Sequence, residues 1–266
     1  MKFLRERTIP IDLKDARILL TNDDGIRAPG LKCLERLLRP LVKELFVVAP
    51  EIEQSATSHA LSLRRPLRIR EISKFRYAVN GTPTDAVLLG ITEILKGRCP
   101  DFLFSGINRG GNLAEDVTYS GTVGAAIEGT LLGVRSVALS QVYIDNQPIR
   151  WSTAENWTPK ILKKLFSIDW PDRVLLNVNF PDCDASKVIG VKVCRQARRR
   201  VGHMLQRRTD PRGEDYYWIG SQIEGDRTRS DTDLHASKLG AITITPLSID
   251  LTDVTMLKRM KALFGG

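Results

Sequence analysis

The chain has 266 residues, an apolar fraction of 42% and a net charge of +9, enough to bury a sizeable core in one large α/β domain or one and a half smaller ones. No apolar run approaches the length of about 18 residues needed to span a bilayer, and the N-terminus has no positive region followed by an apolar block, so no membrane association is expected and the cytoplasm is the expected location. Cys33, Cys99, Cys183 and Cys194 form no CxxC pair and read as reduced packing residues, against disulfides or zinc, while the positive balance suits an anionic ligand without choosing among nucleotide, polyphosphate and RNA.

Residues 1–15 mix charges with Pro10 and show no period, the pattern of a loose N-terminal arm. The run Ile18-Leu19-Leu20-Thr21-Asn22-Asp23-Asp24-Gly25 then reads as a buried strand that stops at a polar edge. Neighbouring side chains on a strand point to opposite faces, so Asp23 and Asp24 converge on one point only where the strand has ended. Gly25 permits that break. Two carboxylates so close repel each other unless something positive sits between them, and a hard divalent cation such as Mg²⁺ takes oxygen ligands of this kind. A solvated turn in which Asn22 and Asp23 bond the local backbone fits the same residues, and the octapeptide alone leaves both readings open.

Ala28-Pro29-Gly30-Leu31 opens a helix carrying Leu31, Leu34, Leu37 and Leu38 on one face, stopped by Pro40, and Glu44 to Ala49 is the next strand. This βαβ unit implies a parallel sheet, in which ligands bind beyond the carboxyl ends of the strands, where the carboxylate pair lies. The polar loop Glu51 to His59 faces the same crevice. Its Ser55, Thr57 and Ser58 either offer oxygens to a metal or phosphate or form an ordinary serine-rich loop. His59 is either an acid/base or a part-buried imidazole bonded to backbone. Leu61 to Leu63, Leu67 to Ile72 and Arg76 to Val79 are expected as an antiparallel excursion. Gly81-Thr82-Pro83-Thr84-Asp85 starts a helix with Thr82 as N-cap and Asp85 closing a capping box. That helix is expected to run to about Leu95, bury Ala86, Leu89, Ile91 and Ile94, and end at Gly97.

Asp101 to Ser105 is a further buried strand, followed by Gly106 to Leu113, where Asn108 supplies a neutral oxygen of the sort hard cations accept beside carboxylates. Tyr119 to Ala126 turns into a small-residue helix reaching about Leu132. A helix N-terminus presents unpaired N–H groups, so Ser120, Gly121 and Thr122 at its mouth are either a phosphate site or a simple cap. Ser136 to Gln141 and Val174 to Asn179 are strands flanking a helix from about Thr158 to Leu165, completing a doubly wound core of five or six strands. Beyond Pro181 the pattern alternates like strands (Val188 to Cys194, Tyr216 to Gly220, Ala241 to Thr245) between polar, basic loops. The cluster Arg195, Arg198, Arg199, Arg200, Arg207 and Arg208 has no interleaved aromatics for base stacking, so a solvated hairpin or intersubunit surface is favoured over nucleic acid. Asp226, Asp231 and Asp233 do not have the spacing of an EF-hand loop.

Taken together, the motifs resemble the SurE family of survival-protein 5'/3'-nucleotidases. The residues that carry the likeness are NDDG (Asn22 to Gly25) with APG (Ala28 to Gly30), APE (Ala49 to Glu51) followed by Gln54-Ser55, GTPTD (Gly81 to Asp85), SGIN (Ser105 to Asn108), DVTYSGTVGAA (Asp116 to Ala126), Thr232-Asp233 and TPL (Thr245 to Leu247). The resemblance implies a Rossmann-like α/β core, here 16–187, with a mainly parallel doubly wound sheet, and a β-rich C-terminal part, 188–266, that exchanges elements between subunits in a homodimer or homotetramer. It also implies a phosphomonoesterase acting on nucleoside monophosphates, in some members on short polyphosphate too. One divalent metal ion per subunit, Mg²⁺ or Mn²⁺, is implied, with Asp23, Asp24, Ser55 and Asn108 as its ligands. In the mechanism expected, that cation polarises a phosphoryl oxygen for in-line attack by water, Asp23 and Asp24 are catalytic, and Asn108, Ser120, Gly121 and Thr122 hold the phosphate. One departure bears on Ser55: the family often has glycine after the ligand serine, whereas this chain has Ala56, which would distort the loop if φ there is positive.

Overall fold

The structure, a computed structural model, describes residues 11–169, 171–199, 203–222 and 229–265. Residues 1–10 of the expected arm, Arg200 and Asp226 lie outside the described residues.

Ile18, Leu19 and Leu20 form the centre of β1 (Arg17–Thr21) and are fully buried. Both faces of the strand are covered. Ile18 and Leu20 pack with Leu31, Leu34 and Leu38 of α1 (Pro29–Leu38), and Leu19 packs on the opposite face. The chain continues through β2 (Glu44–Pro50), β3 (Ile69–Ser73), β4 (Arg76–Val79) and α2 (Pro83–Leu89). The capping box is formed as its spacing predicts, with the Thr82 hydroxyl accepting from the Asp85 N–H and the Asp85 carboxylate accepting from the Thr82 N–H. Leu61 to Leu63 is not a strand, because only β4 at this sheet edge pairs with the excursion, through β3. The helix loosens into a π-type turn over Gly90–Ile94, and Ala86, Val87, Ile91 and Leu95 are the residues it gives to the apolar core while Leu89 and Ile94 touch that core only at its margin. The added residue per turn rotates the apolar stripe away from ideal helical spacing.

β5 (Phe102–Arg109) is followed by the single turn α3 (Asp116–Tyr119), by α4 (Gly121–Leu131) and by β6 (Arg135–Gln141). Almost all of α4 is buried, and its glycines allow this. A Cβ on Gly124 would stand 2.3 Å from the Ser58 carbonyl oxygen, and one on Gly129 would stand 2.5 Å from Ser136 Oγ. α5 (Trp151–Leu165) begins at Trp151, well before the expected Thr158, with Pro159 inside it. Proline favours the first helical position, which misplaces the start; the burial of Thr153 and Ala154 by the core carries the helix through instead. β7 (Val174–Phe180) completes the core.

In the main sheet the order is β3-β4-β2-β1-β5-β6-β7, continued by two strands from later in the chain. β4, β2, β1, β5, β6 and β7 are parallel neighbours. The order reverses between β1 and β5, which opens a crevice at their carboxyl ends. After Pro181 come β8 (Val191–Val193), β9 (His203–Thr209), β10 (Asp215–Gln222), α6 (Asp233–Lys238), β11 (Ile242–Ser248) and α7 (Val254–Phe264). β11 pairs antiparallel with β7 and parallel with β8, so these strands extend the main sheet. β9 and β10 form a separate antiparallel hairpin.

Arg207 and Arg208 lie on β9 of that hairpin, and Arg207 is paired with Asp215. Arg195 faces Asp231, and Arg199 forms an ion pair with Asp116. Charges spent on carboxylates in this way do not make a continuous basic track. No helix of the described residues is long and apolar enough to cross a membrane.

Candidate active site

β1 ends at Thr21, and the chain turns through Asn22 and Gly25, whose φ of +97° suits glycine. Asn22 is fully buried; its Nδ2 donates to the Gly25 carbonyl at 3.0 Å, while its Oδ1 has no donor among the described residues. The turn lies at the reversal between β1 and β5, so Asp23 and Asp24 stand at the mouth of the crevice.

Asp23 is only 5% exposed. Its Oδ1 accepts from Thr122 Oγ1 at 2.5 Å, and its carbonyl accepts from the Gln54 N–H at 2.8 Å, so it joins α4 to the loop after β2. Burial pushes its carboxyl up to about 6, opposed by the Thr122 hydrogen bond and reinforced by the Asp24 charge. Asp24 Oδ2 accepts from the Arg109 main-chain N–H at 3.0 Å. Burial raises its carboxyl as well, opposed by that bond, with the Glu53 charge adding to the rise. Neither carboxylate forms an ion pair among the described residues.

At the start of α4, Ser120 is the N-cap, its Oγ accepting from the Val123 N–H at 3.0 Å. Gly121 lies directly against the carboxylate: a Cβ there would be 2.9 Å from Asp23 Cβ, 3.0 Å from Asp23 Oδ2 and 3.1 Å from Thr57 Oγ1. The structure thus brings Asp23, Gly121, Thr122 and Thr57 into one contact group, and Asp24 and Arg109 into a second beside it. Asn108 precedes Arg109 at the end of β5, beyond a register shift between Ser105 and Asn108 that re-aims the strand end. Its Nδ2 donates to the Gly110 carbonyl at 2.9 Å, and its Oδ1 makes no hydrogen bond among the described residues. Ser55 is exposed and its Oγ donates to Glu53 Oε1 at 2.7 Å. No hydrogen bond joins Ser55 to Asp23 or Asp24 among the described residues; its partner Glu53 places a charge near Asp24.

Ala56 has φ +59° and Ser58 φ +53°, so the loop takes the left-handed backbone at the position where alanine was expected to be a poor fit. The loop is clamped at its far end. Ser58 N–H donates to the Tyr119 carbonyl at 3.0 Å, Ser58 Oγ to the Thr118 carbonyl at 2.7 Å, and His59 Nε2 lies 2.7 Å from the buried Glu128 Oε2 on α4. His59 is therefore bonded to a carboxylate, neither to backbone nor to the crevice residues. Asp233 is fully buried as an acceptor for the N–H groups of Ala114, Ala197 and Leu234. Its role is to fasten the loop after β5 to the C-terminal part.

Glu53 and Arg109 also act on Asp24 without a signal in the sequence. Glu53 lies in the polar loop after β2, where no spacing rule relates it to Asp24, and Arg109 is marked only by following Asn108.

The donors at the crevice are all oxygens, with one buried and one half-buried carboxylate that form no ion pair among the described residues, though the Arg109 charge acts on Asp24, and a buried Asn22 Oδ1 without a donor. That is a set a hard divalent cation fits. It contains fewer than three His, Cys, Asp or Glu together, as is also true of every other place among the described residues.

The model of the family described as Survival protein SurE matches residues 18–203. The chain is similar to the protein called 5'-nucleotidase SurE from Paramagnetospirillum magneticum, 53% identical over 253 residues that cover 95% of this chain and 97% of the relative. It is likewise similar to the protein of the same name from Rhodospirillum rubrum, 47% identical over 258 residues, covering 95% and 98%. The crystal structure of the SurE protein from Aquifex aeolicus superposes with a TM-score of 0.82 at 38% identity, covering 93% of this chain and 99% of that one.

Proposed function

The chain belongs to the SurE family, and on that premise we propose that it is a metal-dependent 5'-nucleotidase that hydrolyses nucleoside 5'- and 3'-monophosphates to nucleoside and phosphate, with short-chain polyphosphate as a further substrate. The observation that carries this reading is the pair of carboxylates without an ionic partner at the β1/β5 reversal, one of them pressed against the first residue of a buried helix.

Asp23 and Asp24 would hold one divalent cation, Mg²⁺ or Mn²⁺, with Asn108 Oδ1 as a neutral third ligand and Ser55 as a fourth if the loop shifts to release it from Glu53. Bound there, the cation supplies positive charge that polarises a phosphoryl oxygen and makes water more acidic. The remaining work falls to the chain. The Gly121 N–H opens α4 and points the positive end of the helix at a phosphoryl group. Absence of a side chain at Gly121 lets that group approach Asp23 closely. Thr122 spends its hydroxyl on Asp23, holding the carboxylate in one orientation, and Ser120 spends its Oγ on the cap. Their part in phosphate binding is therefore mainly to fix the helix mouth, which lowers the reorganisation needed as charge develops on the equatorial oxygens.

A homodimer or homotetramer joined through the C-terminal part belongs to the same reading. The hairpin supports it: Leu205, Tyr217, Trp218 and Ile219 are all more than half exposed, on both faces of a ribbon that lies outside the main sheet.

Phosphate release from a panel of nucleoside monophosphates, with EDTA and with Mg²⁺ or Mn²⁺ restored, tests the proposal. Release that EDTA abolishes and either ion restores is expected. Nucleotide binding without release at any metal concentration would overturn it.

A further inference from the structure

Beyond the carboxylate pair, the crevice continues along the ends of β5 and β6, where the Arg109 side chain and Tyr143 have been given no role in holding the substrate. Arg109 closes β5 and is paired in register with Gln141, the last residue of β6; Tyr143 follows two residues later. The Arg109 guanidinium lies over the Tyr143 ring, 5.5 Å from its centroid. It makes no ion pair or hydrogen bond among the described residues. Gly110, at φ +117°, lies beside the ring: a Cβ there would be 3.7 Å from Tyr143 Cε1 and 3.9 Å from Asn108 Nδ2. An exposed cation stacked on a half-buried aromatic ring, with a glycine beside it, leaves a planar surface open to the crevice.

Its position relative to the carboxylates is fixed by the main chain, because the Arg109 N–H is bonded to Asp24 Oδ2. β6 lies two strands from β1, a separation of about 10 Å at the usual strand spacing. This is comparable with the reach of a nucleotide from its phosphorus to its base. A ligand whose phosphoryl group sits at Gly121 and Asp23 therefore has the Arg109–Tyr143 surface available for its other end.

We infer that Arg109 and Tyr143 form a stacking shelf for the nucleobase of a nucleoside monophosphate, and so set the preference for nucleotides over simple sugar phosphates. The inference rests on the phosphomonoesterase reading for the placement of the phosphate. Guanidinium and phenol rings both stack on the π-face of any base, so the shelf discriminates a base from no base more strongly than one base from another.

The test compares adenosine 5'-monophosphate with ribose 5-phosphate, which keeps the phosphate and sugar and lacks the base. Binding of each is measured by calorimetry on the wild type, Tyr143→Leu, Tyr143→Phe and Arg109→Gln, with phosphate release followed in parallel. Stacking of one base is lost at a cost of roughly tenfold in affinity, so Tyr143→Leu should lower the ratio of nucleotide to sugar-phosphate affinity about tenfold. Tyr143→Phe should retain the wild-type ratio, a rescue that mere loss of packing would not give. Arg109→Gln keeps the main-chain bond to Asp24 and should lower the ratio by a smaller factor. Equal losses for both ligands, or a ratio unaltered in Tyr143→Leu, would overturn the shelf. Failure of the wild type to release phosphate from either ligand with metal present would count against the nucleotidase reading instead, and the binding ratio would still decide the shelf.

Discussion

Asp23 is a carboxylate held out of water by the fold, with a hydroxyl and a helix end beside it and no cationic side chain paired to it. Asp23→Asn keeps an oxygen for Thr122 while removing the charge, and Asp24→Asn does the same for the Arg109 N–H. Each should cost roughly 100-fold or more in kcat/KM, since even the outer partners of metal ligands are worth 10- to 100-fold, and each should leave circular dichroism unaltered. In EDTA the Asp23→Asn protein should melt no lower than the wild type, because a desolvated charge has been removed. A variant that loses both activity and thermal stability would point to a structural carboxylate. Ala56 offers the reverse case, a residue poorly matched to its backbone. At φ +59° an L-residue is strained by about 1–2 kcal/mol, and glycine returns part of that as chain entropy, so Ala56→Gly should raise the unfolding free energy measured by chemical denaturation by a small amount, on the order of 1 kcal/mol or less. A clear destabilisation would show that the loop is not left-handed there.

The loop after β2 and the helix α4 behave as one unit, held by contacts at both ends. At the crevice end, even the methyl of Gly121→Ala would overlap Asp23 and Thr57, and a displacement of about 1 Å at a reacting centre can cost on the order of 100-fold in rate. Gly121→Ala should therefore lower kcat and raise KM together, with the helix retained; kinetics like the wild type would move the phosphate elsewhere. At the far end, Glu128→Ala would strip His59 of its partner and leave a half-buried imidazole unpaired. A loss of about 1–3 kcal/mol in chemical denaturation is expected, with a raised KM from the slackened loop. Glu128→Gln, which keeps an acceptor for His59, should recover most of both. The Thr82–Asp85 capping box and the Leu31, Leu34, Leu38 stripe were legible at this scale because both are local patterns of spacing. The start of α5 was not, because burial of Thr153 and Ala154 overrides the tendency of Pro159 to begin a helix.

For the molecule as a whole, the exposed apolar residues of the β9–β10 hairpin are joined by those of α7, where Val254, Met256, Leu263 and Phe264 are each more than half exposed. A surface of this kind needs a cover, and a second copy of the chain satisfies it in the proposed oligomer. Light scattering should give a dimer or tetramer at micromolar concentration. Trp218→Ser combined with Ile219→Ser should shift the population towards monomer without unfolding the main sheet, which the hairpin does not join. A fully active monomeric wild type would refute the proposal.

The residues by themselves determined the βαβ arrangement, the parallel core and the carboxylate pair at the end of its first strand, because apolar runs, caps and strand ends are set by neighbours close in the chain. They also carried the family motifs in order. What only the tertiary structure decided is how the ends of separate elements meet: that Thr122 gives its hydroxyl to Asp23, that Asp24 is bonded by the Arg109 main chain, that Ser55 turns to Glu53, and that His59 finds Glu128. Each of these joins residues brought together by the sheet order and the packing of α4, and hydrogen-bond geometry between elements depends on distances of tenths of an ångström that no spacing along the chain encodes.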